Sequence, residues 1–510
     1  MIQKYLVIGL WLLGDASFTG CATVDPRLDY ALLGRQVTEA TGQERVYQPE
    51  DDDLIPGLVE ELLREGITAG EAAQICLLNN PTLQAALMDI GMARADVVQS
   101  GLLSNPSLGI ALRFPSGGGL ATLESGLAQN IADLWHIPVR KRVAQRSLDR
   151  TILETARQAA SLSVDAKVAY FKTIGADEQH RIAQENLTIA LSLLEMALTR
   201  QQAGATNELD VNLSRSLALE AELSAGSARL EAAEARRKLA TLLGVTTDGD
   251  ELTLVDQLPE VAPQSFDVER LIDIASAQRL DIRAARQTVS LAEAGLQEQY
   301  RRLFPAVELG VELERGGRER SHSQDILADT ARASIAQGAP TVPEIESWSK
   351  QDEHTDFSIG PSLNIELPIF DQNQAGIAKA RYAYVQARKT LDALDRAVVQ
   401  EVRGAVDRTL TAWKLARIYR DRSIPLAQRN LDLSREAYCA GRASFLSVLE
   451  AERFFLDSRS QYVAAATTAA TTIPELERTT GATIATLVAE ADADPATSTE
   501  VKQAEEKVEP

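Results

Sequence analysis

The sequence predicts a long-helix protein built from two internal repeats, each joining a pair of short β-strands to a helical hairpin. Three observations carry that prediction. First, a stretch at 79–114 has a second copy within 280–315. Leu83-Gln84-Ala85-Ala86 matches Ile282-Arg283-Ala284-Ala285 and Pro106 matches Pro305, both at an offset of 199 residues. A repeat at fixed offset means two copies of one structural unit. Second, helical periodicity persists over tracts far longer than a globular core requires, as in coiled coils. Third, four runs of about ten residues alternate apolar and polar side chains, the period of a two-faced strand.

Bulk properties fit this plan. The chain has 510 residues but only 5% aromatics, and Ala, Leu, Arg, Glu and Gln dominate wide tracts. Such a composition suits long helices packed through small side chains. A net charge of −21 argues against a nucleic-acid partner, because phosphate binding needs a basic face. Cys21, Cys76 and Cys439 lie far apart, with neither disulfide nor metal-ligand spacing.

Residues 1–20 read as a secretory signal: Lys4, a short apolar run over 5–13, then small residues. Phe18-Thr19-Gly20-Cys21 resembles a bacterial lipobox, in which the cysteine becomes the lipidated first residue. The alternative is a secreted chain whose Cys21 is incidental. Ala22 lacks the acid of an inner-membrane retention signal and so favours the outer membrane. Residues 21–67 read as an irregular polar leader with one short helix over 58–64.

A first repeat spans 68–260. Thr68-Ala69-Gly70-Glu71 has capping-box spacing and starts a short helix. Asn80-Pro81 then supplies a cap and a first-turn proline for the next one. Strands follow over 106–114 and 123–134, joined by a glycine-rich turn at 115–119. From 139 to 202 there is no proline and one glycine, Gly175. Such a helix would run roughly 95 Å at ~1.5 Å per residue. A break at 204–207 and a second helix to 243 complete a hairpin over 139–243.

The second repeat spans 267–481. A helix over 267–277 matches the first repeat's short helix, and Asp281 reads as the next cap. Strands are expected over 305–314 and 357–367, separated by a polar segment, 315–356. A hairpin over 374–473 follows, its first helix interrupted by Gly376, Gly404 and Pro425, and its second ended by Pro474. Residues 482–510 form an acidic tail of disordered composition.

The strands pose a physical choice. About ten residues span a bilayer when a strand is tilted, and in lipid only a closed barrel satisfies every backbone group. Four strands are fewer than the ~8 of the smallest membrane barrels. Either several chains pool their strands, or these four form a small soluble sheet.

The chain resembles the TolC family of outer-membrane efflux proteins, particularly its lipoprotein members, over roughly 71–481. The motifs that carry the resemblance are Asn80-Pro81-x-Leu83-x-Ala85-Ala86, the prolines Pro106 and Pro305, and Leu367-Pro368-Ile369-Phe370-Asp371. The tip Tyr438-x-x-Gly441, followed by Leu446-x-Val448-Leu449-x-Ala451, completes them. The resemblance implies a trimer whose four strands per protomer make one twelve-stranded outer-membrane barrel above a periplasmic tunnel of helices. Such proteins are passive exit channels of tripartite pumps in Gram-negative bacteria, joined to an inner-membrane pump by a periplasmic adaptor. It also implies that Glu308, Glu312, Glu314 and Glu366 face the barrel lumen. At the periplasmic tips, Gly204 to Val211 aligns with Gly441 to Val448. Asp210 matches a linking aspartate, while Ser447 and Glu450 match two aspartates that ring the aperture. Arg442 lies one position from a family arginine that bonds the counterpart of Asp210.

Other function classes find less support. His136, His180, His322 and His354 are scattered, and neither a phosphate loop nor a nucleophile elbow occurs, so no enzyme, metal site or cofactor is expected beyond a lipid on Cys21. A lipid-tethered periplasmic adaptor or scaffold is the leading alternative, but adaptors carry one helical hairpin and this chain has two. A type I protein-secretion duct would look the same in sequence, since the pump selects the cargo. No Met or His cluster supports metal export.

Overall fold

A computed structural model describes residues 22–114, 121–204, 206–246, 252–259, 266–317, 323–340 and 355–483. The signal, Cys21, the turn at 115–119, His322, His354 and all but the start of the tail lie outside the described residues. The chain divides into two units. One comprises 1–95, 146–290 and 385–510, and is helical; the other comprises 96–145 and 291–384, and contains the sheet.

In the helical unit, the leader corrects the sequence reading. Residues Arg27–Thr41 form helix α1, not irregular chain. Tyr30, Leu33, Val37 and Thr41 are buried at helical spacing, and Gly42, at φ +71°, ends the helix. Asp29 is buried with them, and Arg94 binds its carboxylate with two guanidinium nitrogens. Helix α2 covers Ile55–Arg64. Helix α3, Ala69–Asn79, has the full capping box between Thr68 and Glu71. Tyr170, fully buried, donates to the Ile67 carbonyl and accepts from the Asp256 backbone N–H.

Helix α4 is Pro81–Ser100. The Asn80 side-chain oxygen caps it by accepting from the N–H groups of Thr82 and Leu83. The same side chain donates to the carbonyl of Leu242 in the last turn of a long helix. That contact pins one end of the first hairpin, helices α5 (Asp133–Gln202) and α6 (Glu208–Leu243). α6 ends at Gly244, φ +68°, where an added Cβ would lie 2.3 Å from the Asn79 carbonyl oxygen. Only glycine fits there. Buried Val211, Ser214, Ala218, Ala221, Ala225, Ala232 and Leu239 follow a seven-residue period along α6, the seam of a coiled coil.

The second repeat answers the first. Asp267 caps α7, Val268–Gln278, and helix α8 spans Leu280–Arg301. Asp281 is not the cap expected of it; it sits inside the first turn of α8, paired with Arg279 at 2.6 Å. Arg279 occupies the position equivalent to Asn80 and donates to the carbonyl of Thr479 and to Glu401. A core of Leu271, Ile282, Val398, Val402, Val406 and Leu476 gathers here.

Three helix boundaries differ from the sequence reading. Strand 123–134 stops at Asn130, because the Asn130 side chain accepts from the Ala132 N–H and turns the chain; α5 then starts at Asp133, with Pro138 inside it. The helix predicted over 374–438 runs unbroken through Gly404 as α10 (Gln374–Ile418). A π-turn, Tyr419–Ser423, then leads into α11 (Ile424–Cys439), with Pro425 at its start. A proline has no N–H to give the preceding turn, and the widened turn accommodates it. Helix α12, Phe445–Thr480, passes through Pro474 and ends at Gly481, φ +72°. Trp413 Nε1 and Thr472 Oγ1 both donate to the Ala469 carbonyl beside the bond that Pro474 removes.

The sheet is one antiparallel layer in the order β1-β2-β3-β4. Its strands are β1 Ser107–Arg113, β2 Thr122–Asn130, β3 Val307–Gly317 and β4 Thr355–Ile365. β3 is longer than expected, and β4 is shifted two residues toward the N-terminus. The segment 315–356, read as polar loop, contains a helix, α9, at Ser323–Gln337; its Ala-rich sequence supports helix at no cost in packing.

Burial pushes the Asp281 carboxyl up, but the bonds and charge of Arg279 outweigh it and leave its pKa below the ordinary value. The pair therefore stabilises the fold fully above about pH 4 and stops doing so as pH falls through the lowered native value. Asp281→Asn should cost about 1–3 kcal/mol near neutrality, read as thermal unfolding in detergent. The deficit should shrink in strong acid; an undiminished deficit there would refute the ion pair as its source.

Candidate functional site: a two-faced sheet and two helix tips

The register of the sheet sorts its side chains into two faces. Leu108 opposes Leu127, which opposes Val311; Leu309 opposes Leu363, and Leu313 opposes Ile359. This apolar face is bare: Leu108 and Ile110 are 69% exposed and Ile359 64%. Aromatic residues mark both ends of it. Phe114 and Phe357 lie at one end, Phe304 and Phe370 at the other, all exposed. Between the levels of Val307 and Arg315 lie about 27 Å of strand at ~3.4 Å per residue.

The opposite face is polar and concave. A cleft of about 790 Å³ runs along it beside Arg113, Glu124, Glu312, Glu314 and Ser358. Concavity crowds the side chains, and glycine relieves the crowding. A Cβ on Gly310 would lie 2.6 Å from Ser362 Oγ and 2.9 Å from the Leu127 carbonyl oxygen. Glu308, Glu312 and Glu314 alternate along β3 on this face and are exposed. Asn364 Nδ2 approaches Glu308 at 3.5 Å. Glu366 lies one residue past β4, its N–H bonded to the Ala306 carbonyl.

One member of the polar face, Glu124, escaped the sequence reading. Glu124 stands directly opposite Glu314, and Arg113 pairs with Glu124 at 2.8 Å. Two facing carboxylates repel, and the arginine offsets part of that. The alternation Leu123-Glu124-Ser125-Gly126-Leu127 held the signal. Extending the strand to 134 obscured it.

The two helix tips share one design. Gly204 and Gly441 both take φ +71°, and three residues later Asn207 and Ser444 cap the next helix. Their side chains accept from the N–H groups of Asp210 and Ser447. The Asp210 carboxylate accepts from Thr206 Oγ1 at 2.6 Å. Ser447 Oγ turns inward to the Ser444 carbonyl, also at 2.6 Å. Arg442 does not reach Asp210: its backbone N–H bonds Ala437, and its side chain is exposed. Glu450 is exposed, with no intrachain partner among the described residues.

A different link joins the hairpins near the tips. Arg200, in the last turn of α5, hydrogen-bonds the Tyr438 hydroxyl and lies 4.9 Å from that ring's centroid. Tyr438 in turn packs against Phe445. Further along, Arg459 pairs with Glu185 at 3.0 Å and Gln179 donates to the Ser460 carbonyl. Glu452, buried, pairs with Arg435 at 2.7 Å and locks α11 to α12. Sequence reasoning missed these contacts because each joins residues on separate long helices.

Among the described residues, no helix is long and apolar enough to cross a membrane, and no group of His, Cys, Asp or Glu gathers as a metal site.

Comparison with known proteins places this geometry. The pyoverdine export outer membrane protein OpmQ of Pseudomonas putida is 26% identical over 330 residues, covering 62% of this chain. The chain spans 61% of that relative's length. Solved structures share the fold at lower identity. The Campylobacter jejuni CmeC outer membrane channel superposes with a TM-score of 0.63 at 16% identity, covering 81% of this chain and 85% of its own. The outer membrane protein VceC from Vibrio cholerae gives 0.60 at 17%, covering 84% and 97%. The sequence model of the outer membrane efflux proteins matches 72–245 and 271–482, one match for each repeat, and the chain belongs to that family.

Proposed function

We propose that three copies of this chain pool β1–β4 into one twelve-stranded barrel in the outer membrane of a Gram-negative bacterium. The assembly is a passive exit channel for small molecules, working with a periplasmic adaptor and an inner-membrane pump. The single observation that carries this reading is the bare apolar face of a sheet whose two outer strands lack partners among the described residues. Lipid accepts no open sheet edge. Four strands with a concave polar side have the right chemistry for one third of a water-filled cylinder. Aromatic residues at both ends correspond to the two interfacial girdles of such barrels. The name of OpmQ, an export protein, supports a small-molecule cargo. Cys21 carries the lipid that tethers each copy. An adaptor or scaffold in the periplasm would have no use for the exposed apolar face.

Within this reading, the glutamates of β3, with Glu366 and Glu124, line the lumen in three symmetric copies. Gly204 and Gly441 shape the tips, where Asp210, Arg442, Ser447 and Glu450 surround the aperture. The Arg200–Tyr438 link holds the two hairpins together near the tips.

Extraction tests the assembly. The protein should resist carbonate extraction from outer membranes and migrate as a heat-sensitive trimer; a carbonate-extracted monomer overturns the channel reading. Charge tests the lumen. Replacing Glu124, Glu312 and Glu314 by Gln together should lower the cation-over-anion permeability ratio in planar bilayers, since rings of acid favour cations. Glu450→Gln should act in the same direction, and unchanged reversal potentials would remove these residues from the permeation path. Arg200→Ala should raise the time-averaged conductance, whereas a current identical to wild type would show that the link does not restrain the aperture.

A further inference from the structure

A pocket of about 170 Å³ lies in the helical unit where α1, α5, α8 and α12 converge. Its size matches engineered cavities of ~150 Å³ that admit a benzene ring. Its walls are of two kinds. Ala40, Ala160, Val164 and Leu280 provide apolar surface. Arg157, Lys167, Arg279 and Arg478 bring four cations, against only Asp281 and Glu477 among the lining acids. In a chain of net charge −21, this is a local reversal of sign.

Three of those cations are already engaged. Lys167 pairs with Glu477 at 2.8 Å, Arg279 with Asp281 at 2.6 Å, and Arg478 with Asp165 at 2.5 Å. Arg157 has no ion-pair or hydrogen-bond partner among the described residues, although it stands near enough to Asp281 to act on it electrostatically. A second, independent observation concerns Ser163. This lining residue is 1% exposed, and its hydroxyl has no hydrogen-bond partner among the described residues. Buried polar groups are rarely left so.

We propose that this pocket binds a small organic carboxylate with a compact apolar body. The carboxylate answers the free Arg157 guanidinium, the site of strongest charge-assisted bonding to such a group. The orphaned Ser163 hydroxyl gains a partner, and the body rests on the alanine, valine and leucine walls. Because the pocket joins the leader helix to both repeats, occupancy stabilises the fold by mass action. The proposal does not depend on the channel reading.

The test uses the full-length protein in detergent with 4-fluorobenzoate, observed by ¹⁹F NMR and thermal unfolding. Neutral 4-fluorobenzamide and inorganic phosphate serve as controls. Fluorobenzoate should broaden saturably and raise the unfolding temperature, and the amide should bind about tenfold more weakly or less, as expected for loss of a charged hydrogen bond. Arg157→Gln, at an exposed position, should weaken fluorobenzoate by a similar factor, and Ala160→Leu, which fills the cavity, should abolish it. No saturable binding by the wild type overturns the proposal, as does equal binding of the amide. Undiminished affinity in Arg157→Gln, or full displacement by phosphate, does the same.

Discussion

The helical unit depends on one contact made twice: the last turn of a long returning helix docks on the residue that opens the next short helix. In the first repeat Asn80 caps α4 with its oxygen and holds the Leu242 carbonyl with its nitrogen. In the second, Arg279 reaches the Thr479 carbonyl from the equivalent position. Both returning helices end in a left-handed glycine, Gly244 and Gly481, pressed against that same residue or its neighbour. Carbonyls at a helix end otherwise need water or caps. Here they are satisfied by the body on which the hairpin must sit, so the hydrogen bond and the docking geometry are one constraint.

The two versions differ in chemistry. Asn80 is a neutral side chain that can do two jobs because an amide both donates and accepts. Arg279 can only donate, so it cannot cap the N-terminus of α8, and it needs carboxylates to offset its charge. Asp281 and Glu401 supply them. This explains why the second junction is richer in charge than the first, and why a pocket with a cationic wall lies beside the second.

Much of this was legible in the sequence, and the limits are physical. The repeat, the capping box at Thr68, the Asn80 cap and the tip glycines are local signals, written in residues a few positions apart. The strand faces were legible wherever alternation was clean, as in β3. Helix α1 was missed although Tyr30, Leu33 and Val37 have helical spacing, because its overall polarity and the flanking prolines suggested loose chain. Pro474 misled for a different reason: one proline removes one helical hydrogen bond, and the turn around it is held by side-chain bonds, among them one from Trp413 on another helix to the neighbouring Ala469 carbonyl. The Arg200–Tyr438 link could not be read at all, since no periodicity specifies which hairpin lies beside which.

The seams between these helices are built of small residues, and that has an energetic consequence. An alanine buries little apolar area, and stabilisation scales with area at about 25 cal/mol per Å². The α5–α6 contact at Ala190, Ala218 and Ala221 gains closeness more than hydrophobic energy. Meanwhile larger side chains on α6, Leu209, Leu219, Leu223 and Leu230, lie along one stripe and remain exposed. The sheet shows the same imbalance, with leucine and isoleucine outside and glycine and serine inside. Large apolar side chains left open in this way contribute hydrophobic stabilisation only when something covers them. In the proposed assembly that cover is lipid for the sheet and neighbouring copies for the helices, so folding and assembly draw on the same side chains.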